Sequence, residues 1–119
     1  MKKAILLLSL IVMSASCFVF SRLDLSGNWM GTITNQYGTQ RLDASLIQNG
    51  DNLSGTWSTG WGSGGDLSGT ISGKTIRGSL SGAWGYSATI NGIVTSDGKQ
   101  ITGSGTSQDG PFTFQLRKI

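Results

Sequence analysis

The sequence predicts an all-β fold: an eight-stranded antiparallel up-and-down β-barrel built around three repeated hairpins. Three observations carry the prediction. From residue 23 onward, apolar or Gly residues alternate with Ser, Thr and other polar residues almost without a break, the period of half-buried strands. One hairpin design recurs three times along the chain. The residues that build helices are missing, since of the 98 residues from 22 to 119, 44 are Gly, Ser or Thr, three are Ala and none is Glu.

Taken in order, the chain opens with Lys2 and Lys3, an apolar run from Ala4 to Met13 broken only by Ser9, and the small residues Ser14-Ala15-Ser16. That arrangement marks residues 1–21 as an export signal rather than a structural helix and leaves 22–119 as a single barrel domain. Cys17 directly after the small residues resembles the lipobox of bacterial lipoproteins, in which the Cys is lipid-modified and becomes the new N-terminus; Ser14 stands where that pattern has Leu or a similar apolar residue. Cleavage after Ser16 or Ser21, or an uncleaved anchor running through Phe20, are the alternatives. Each predicts a domain outside the cytoplasm, secreted or in the bacterial cell envelope, lipid-anchored or periplasmic, with membrane contact only through Cys17 or the signal. One Cys in an oxidising compartment fits a thiol that is lipidated or removed.

The first strand's inward series reads Leu23, Leu25, Gly27, Trp29, and the last strand's reads Phe112, Phe114, Leu116. Between them, the first hairpin joins Leu42-Ala44-Leu46 to Leu53-Gly55-Trp57. The second joins Leu67-Gly69-Ile71 to Ile76-Gly78-Leu80, and the third joins Ile90-Gly92-Val94 to Ile101-Gly103-Gly105, with Tyr86 and Ala88 extending its first arm. Each turn carries the Gly, Asn or Asp that left-handed backbone angles require. Eight strands with one apolar face close most economically into a barrel without free edges. A β-solenoid, suggested by the recurrence of Leu-Ser-Gly at 53, 67 and 80, is disfavoured by unequal turns and a reversing core pattern. A small residue at the middle inward position of seven strands (Gly27, Ala44, Gly55, Gly69, Gly78, Gly92, Gly103) predicts a narrow waist filled by Phe114 and one or more tryptophans.

Alternating strand directions sort the connections by end. Three compact polar turns lie at one end; loops 34–39, 58–66 and 107–111 and the Gly82-Ala83 turn lie at the other. The aromatic residues Trp29, Tyr37, Trp57, Trp61, Trp84, Tyr86 and Phe112 are expected at that second mouth, as a small-molecule pocket requires or as a plug. Trp61, in Gly60-Trp61-Gly62-Ser63-Gly64-Gly65, is expected to stay exposed as a lid or partner contact.

Several chemistries are excluded. Without His and with one Cys there is no Cys/His zinc site, no Ser-His-Asp or Cys-His pair and no internal disulfide. The six Asp fall in turns, at strand ends or on an outward position, and no spacing pairs them for hydrolysis. No catalytic residue, metal ligand or cofactor is expected. The net charge of +3 counts Lys2 and Lys3, and beyond residue 21 there are 7 basic residues against 6 Asp, so nucleic acid is not an expected partner.

Leu-Ser-Gly-Asn-Trp at 25–29, Leu-Ser-Gly-Thr-Trp at 53–57 and Phe-Thr-Phe-Gln-Leu at 112–116 resemble the avidin and streptavidin barrel, and more loosely the lipocalins. The resemblance implies an eight-stranded barrel with a ligand at its mouth. It also implies that Asn35 and Thr39, flanking Tyr37, hydrogen-bond the ligand as the family's first loop binds the biotin ureido group. Trp57 stands where that family has a ureido-binding Tyr, and an indole cannot accept a hydrogen bond, so biotin is not the expected ligand. The expectation is a non-enzymatic exported module binding a small apolar or amphipathic molecule at the aromatic mouth. The alternatives are a protein-facing barrel, in the manner of the small barrel inhibitors of secreted metalloproteases, which insert a free N-terminal segment, and a structural envelope protein without a ligand site.

Overall fold

The computed structural model describes residues 23–119; the expected export signal at 1–21 and Cys17 lie outside the described residues. Eight strands follow one another without a crossover: β1 (Gly27–Asn35), β2 (Gly38–Asn49), β3 (Asn52–Thr59), β4 (Gly64–Ser72), β5 (Thr75–Gly82), β6 (Ser87–Val94), β7 (Gln100–Ser107) and β8 (Gly110–Lys118). Every neighbour is antiparallel, and β1 pairs with β8, setting Ile33 opposite Phe114, to close the barrel. The three hairpins read from the sequence are the observed ones: Leu46 faces Gly55, Gly69 faces Gly78, and Gly92 faces Gly103. Coils of a solenoid would stack in parallel, and none do.

Parity accounts for the two faces. Among the described residues, every buried side chain is hydrophobic and none is polar or charged, while the outward positions carry Ser54, Thr56, Ser68, Thr70, Ser79, Thr89 and Ser104. This is the inverse of a membrane barrel, whose apolar residues face outward.

The glycines make the interior fillable. A side chain on Gly103 would place its Cβ 2.6 Å from the Phe114 ring, and one on Gly105 would place it 2.5 Å from the Phe112 ring. Each glycine of β7 is therefore the seat of an aromatic ring from β8. The two rings sit 6.5 Å apart between centroids. Gly31, rather than Gly27, is the small waist residue of β1, where a Cβ would drive into the backbone oxygen of Gln115; Gly27 is exposed at the strand's start. What remains along the axis is a wholly apolar cavity of about 50 Å³ between Ile33, Leu42, Leu53, Ile90 and the two Phe rings. Ligand pockets run to ~300–1,000 Å³, so the core is packed rather than hollow.

The first strand begins later than the alternation suggests. Asp24 Oδ1 accepts the Ser26 N–H at 3.0 Å, turning the chain so that Leu23–Ser26 crosses the end of the barrel instead of extending β1. Leu25 is fully buried there. Its N–H donates to Gln48 Oε1, and its carbonyl accepts the Trp29 indole N–H, both at 2.9 Å. Leu23 lies under the Gly98 turn. This corrects the expected position of Trp29. As the third residue of β1 it belongs to the end with the compact turns, where it is buried as part of a plug, with Lys118 Nζ 5.9 Å over its ring.

Candidate functional site

Four connections meet at the opposite mouth: Gln36–Tyr37, residues 60–63, Ala83–Gly85 and Gln108–Asp109. The last three enclose an open cleft of about 500 Å³. Trp57 and Tyr86 form its floor, tilted at 47° with centroids 5.4 Å apart. The Trp57 indole N–H is shared between the backbone oxygens of Asp66 (3.1 Å) and Ser81 (3.3 Å) on the two following strands, which fixes the ring at the top of the core.

One wall is Trp61. The strands on either side extend further than expected, so the loop is four residues, not the long flexible stretch 58–66. It is knitted shut: the Thr59 N–H donates to the Ser63 oxygen at 2.9 Å, the Gly60 N–H to the Arg41 oxygen at 3.0 Å and the Trp61 N–H to Thr59 Oγ1 at 3.2 Å. Trp61 keeps 40% of its surface exposed, held by a rigid turn rather than a swinging lid.

The facing wall is Trp84. Tyr86 donates its N–H to the Ala83 oxygen at 3.2 Å, and the Gly82 N–H donates to the Tyr86 oxygen at 3.0 Å, so Ala83–Tyr86 is a tight turn. Both central residues have positive φ, 62° at Trp84 and 73° at Gly85. Turns of that hand take Asn, Asp or Gly at the first of these positions. Here a Trp occupies it, as the only non-glycine with positive φ among the described residues, and its side chain is 102% exposed, touching nothing. The strained backbone gains no packing in return, the pattern expected of a group held out for contact.

Gln108 secures this wall. Its Nε2 donates to the Gly85 oxygen at 2.6 Å and its Oε1 accepts the Ser87 N–H at 3.0 Å, so one side-chain amide clamps both sides of the turn. Sequence reasoning did not single it out, because an amide 21 and 23 residues from its partners leaves no local signal. Asp109, also on the rim, has its backbone oxygen held by Gln36 Nε2 at 3.0 Å and its N–H by Ser107 Oγ at 3.1 Å.

Of the residues proposed from sequence, the structure brings Trp57, Trp61, Trp84 and Tyr86 together. Phe112 is buried beneath them in the core. Asn35, Tyr37 and Thr39 share this end but do not line the cleft. Asn35 Oδ1 accepts the Tyr37 N–H at 2.8 Å as a turn former. Thr39 lies on the outer wall, hydrogen-bonded to Thr34 at 2.8 Å, because even positions of β2 face inward. The avidin-like pair of ligand-binding groups is therefore not assembled.

No protein-family model and no curated protein matches the sequence. Solved structures match in fold. A redesigned β-barrel, mFAP1, bound to DFHBI, is 22% identical with a TM-score of 0.67, over 79% of this chain and 94% of that one. A de novo designed fluorescence-activating β-barrel is 16% identical with a TM-score of 0.66, over 79% and 93%. A further redesigned β-barrel is 19% identical with a TM-score of 0.66, over 80% and 91%. At these identities the likeness is one of architecture.

Proposed function

We propose that the chain is a non-enzymatic, exported binding module that takes a small amphipathic ligand in the cleft between Trp61 and Trp84. The observation that carries this reading is Trp84, a fully exposed indole kept on a backbone that glycine or asparagine would occupy without strain. The cleft's volume falls in the range of small-molecule sites, and its aromatic walls and polar rim are the usual make-up of one. At least one barrel of this architecture is known with a small molecule bound. Export rests on the N-terminal sequence pattern alone.

The inhibitor-like alternative needs a free N-terminal segment, whereas Leu23–Ser26 is fastened into the closed end by Leu25. The test is intrinsic tryptophan fluorescence of the full chain against a panel of planar amphipathic molecules. A saturable shift that Trp61→Ala or Trp84→Asn weakens about ten-fold or more, while Tyr37→Ala leaves it unchanged, supports the reading. Ligands that bind equally to all three variants would overturn it.

A further inference from the structure

Resting on that reading, we infer that the ligand of the mouth is an organic cation carrying a quaternary ammonium group. Four aromatic side chains line the cleft, Trp57, Trp61, Trp84 and Tyr86, and aromatic faces present negative charge density to a cation placed over them. The one carboxylate among the lining residues is Asp109. Its backbone N–H and C=O are both engaged, while its side-chain oxygens take part in no hydrogen bond or ion pair among the described residues. Among the described residues, no Lys or Arg lines the cleft.

The cations among the described residues are disposed elsewhere, Arg77 on the exposed outer wall of β5. Lys74, Lys99, Arg117 and Lys118 lie in or beside the compact turns and the C-terminal strand end, at the opposite pole. Arg41, nearer the mouth, is tied to Asp43 at 2.9 Å. The contrast with the closed end is direct. There Lys118 covers the face of Trp29; at the mouth the equivalent position over Trp61 and Trp84 is left to solvent. An anionic ligand would meet Asp109 without a compensating charge, and a neutral one would leave the carboxylate unused. A quaternary ammonium needs no hydrogen-bond acceptor and satisfies both the rings and the charge.

The experiment compares choline with its neutral carbon isostere, 3,3-dimethylbutanol, on the full chain, read by tryptophan emission and calorimetry. Choline is expected to bind ~10-fold or more tightly than the isostere. Asp109→Asn is expected to weaken choline about five-fold, the scale of one exposed charge, and to leave the isostere unchanged. Equal affinities for the two molecules, or no effect of Asp109→Asn on choline, would overturn the cation assignment. If choline fails while neutral planar amphiphiles still bind and Trp84→Asn still weakens them, the cation assignment falls and the mouth reading stands. If no probe binds, both fall.

Discussion

The two ends of the barrel use tryptophan in opposite ways. At the closed end, Trp29 is buried, its N–H satisfied by Leu25 and its face covered by Lys118. At the open end, Trp84 projects from a left-handed turn into solvent, and Trp61 stands across from it on a turn of its own. One indole completes the fold; the other departs from what the fold favours. The difference teaches that aromatic content alone does not locate a site. What separates site from plug is whether the ring's contacts are already filled.

The largest effect should come from the closed end. Trp29→Ala removes a buried indole and unfastens Leu23–Ser26, and is expected to cost about 3–5 kcal/mol in urea denaturation. Trp84→Ala should stay within about 0.5 kcal/mol of the parent, as exposed positions do. Comparable losses for the two would erase the distinction between the poles.

Next in size is the waist that both ends share. Gly103→Ala drives a methyl group into the Asn91 backbone oxygen and against the Phe114 ring and should cost about 3 kcal/mol by overpacking. Gly73→Ala, in a turn with open space around it but φ of 61°, should cost about 1 kcal/mol from backbone strain alone. The pair separates steric from conformational need for glycine by thermal melts.

The strand architecture was legible because its cause is local and repetitive. Parity puts every second residue inside, and the Asn, Asp and Gly of each turn fix where the chain reverses, so the three hairpins and their registers follow from Leu42, Leu67 and Ile90 onward. Trp29 was misplaced for an equally local reason that alternation hides: the Asp24–Ser26 turn interrupts a pattern whose side chains continue in phase. Of the candidate site, the aromatic members could be read from composition and end assignment. The clamp by Gln108 could not, because it joins two loops through a long-range amide. Nor could Thr39 be recognised as outward: the parity set by Leu42 and Ala44 reaches it only because the strand extends back to Gly38, where the alternation predicts the loop 34–39.

That clamp gives the next test. Gln108→Ala removes two hydrogen bonds from the Ala83–Tyr86 turn, at about 1 kcal/mol of stability for exposed bonds. It should weaken a mouth ligand several-fold, because Trp84 loses its fixed presentation. Trp84→Asn works in the other sense. Supplying the residue that positive φ favours should raise stability by up to about 1 kcal/mol while binding falls. A gain in stability with binding intact would mean that the strained indole has no part in recognition.

The smallest effect is electrostatic and returns to the closed end. Asp97 is held below the ordinary carboxylate value of 3.8, first by the Thr95 hydroxyl and then by the Lys99 N–H; Asp24 is likewise lowered, chiefly by the Ser26 N–H and hydroxyl. A carboxyl lowered in the folded state favours folding above its unfolded value, and that contribution is lost as pH falls through the folded one. Stability should therefore hold through neutral pH and begin to decline near and below pH 3.8. Both groups are almost fully exposed, so each contribution is small. In melts taken across this range, Asp97→Asn should flatten the acid limb, whereas the cleft residues Trp61 and Trp84, far from both turns, should leave its slope unchanged when replaced. An acid limb identical in parent and Asp97→Asn would show that the Thr95 and Lys99 hydrogen bonds to Asp97 do not couple to folding, leaving Asp24 as the acid-sensitive turn of the closed end.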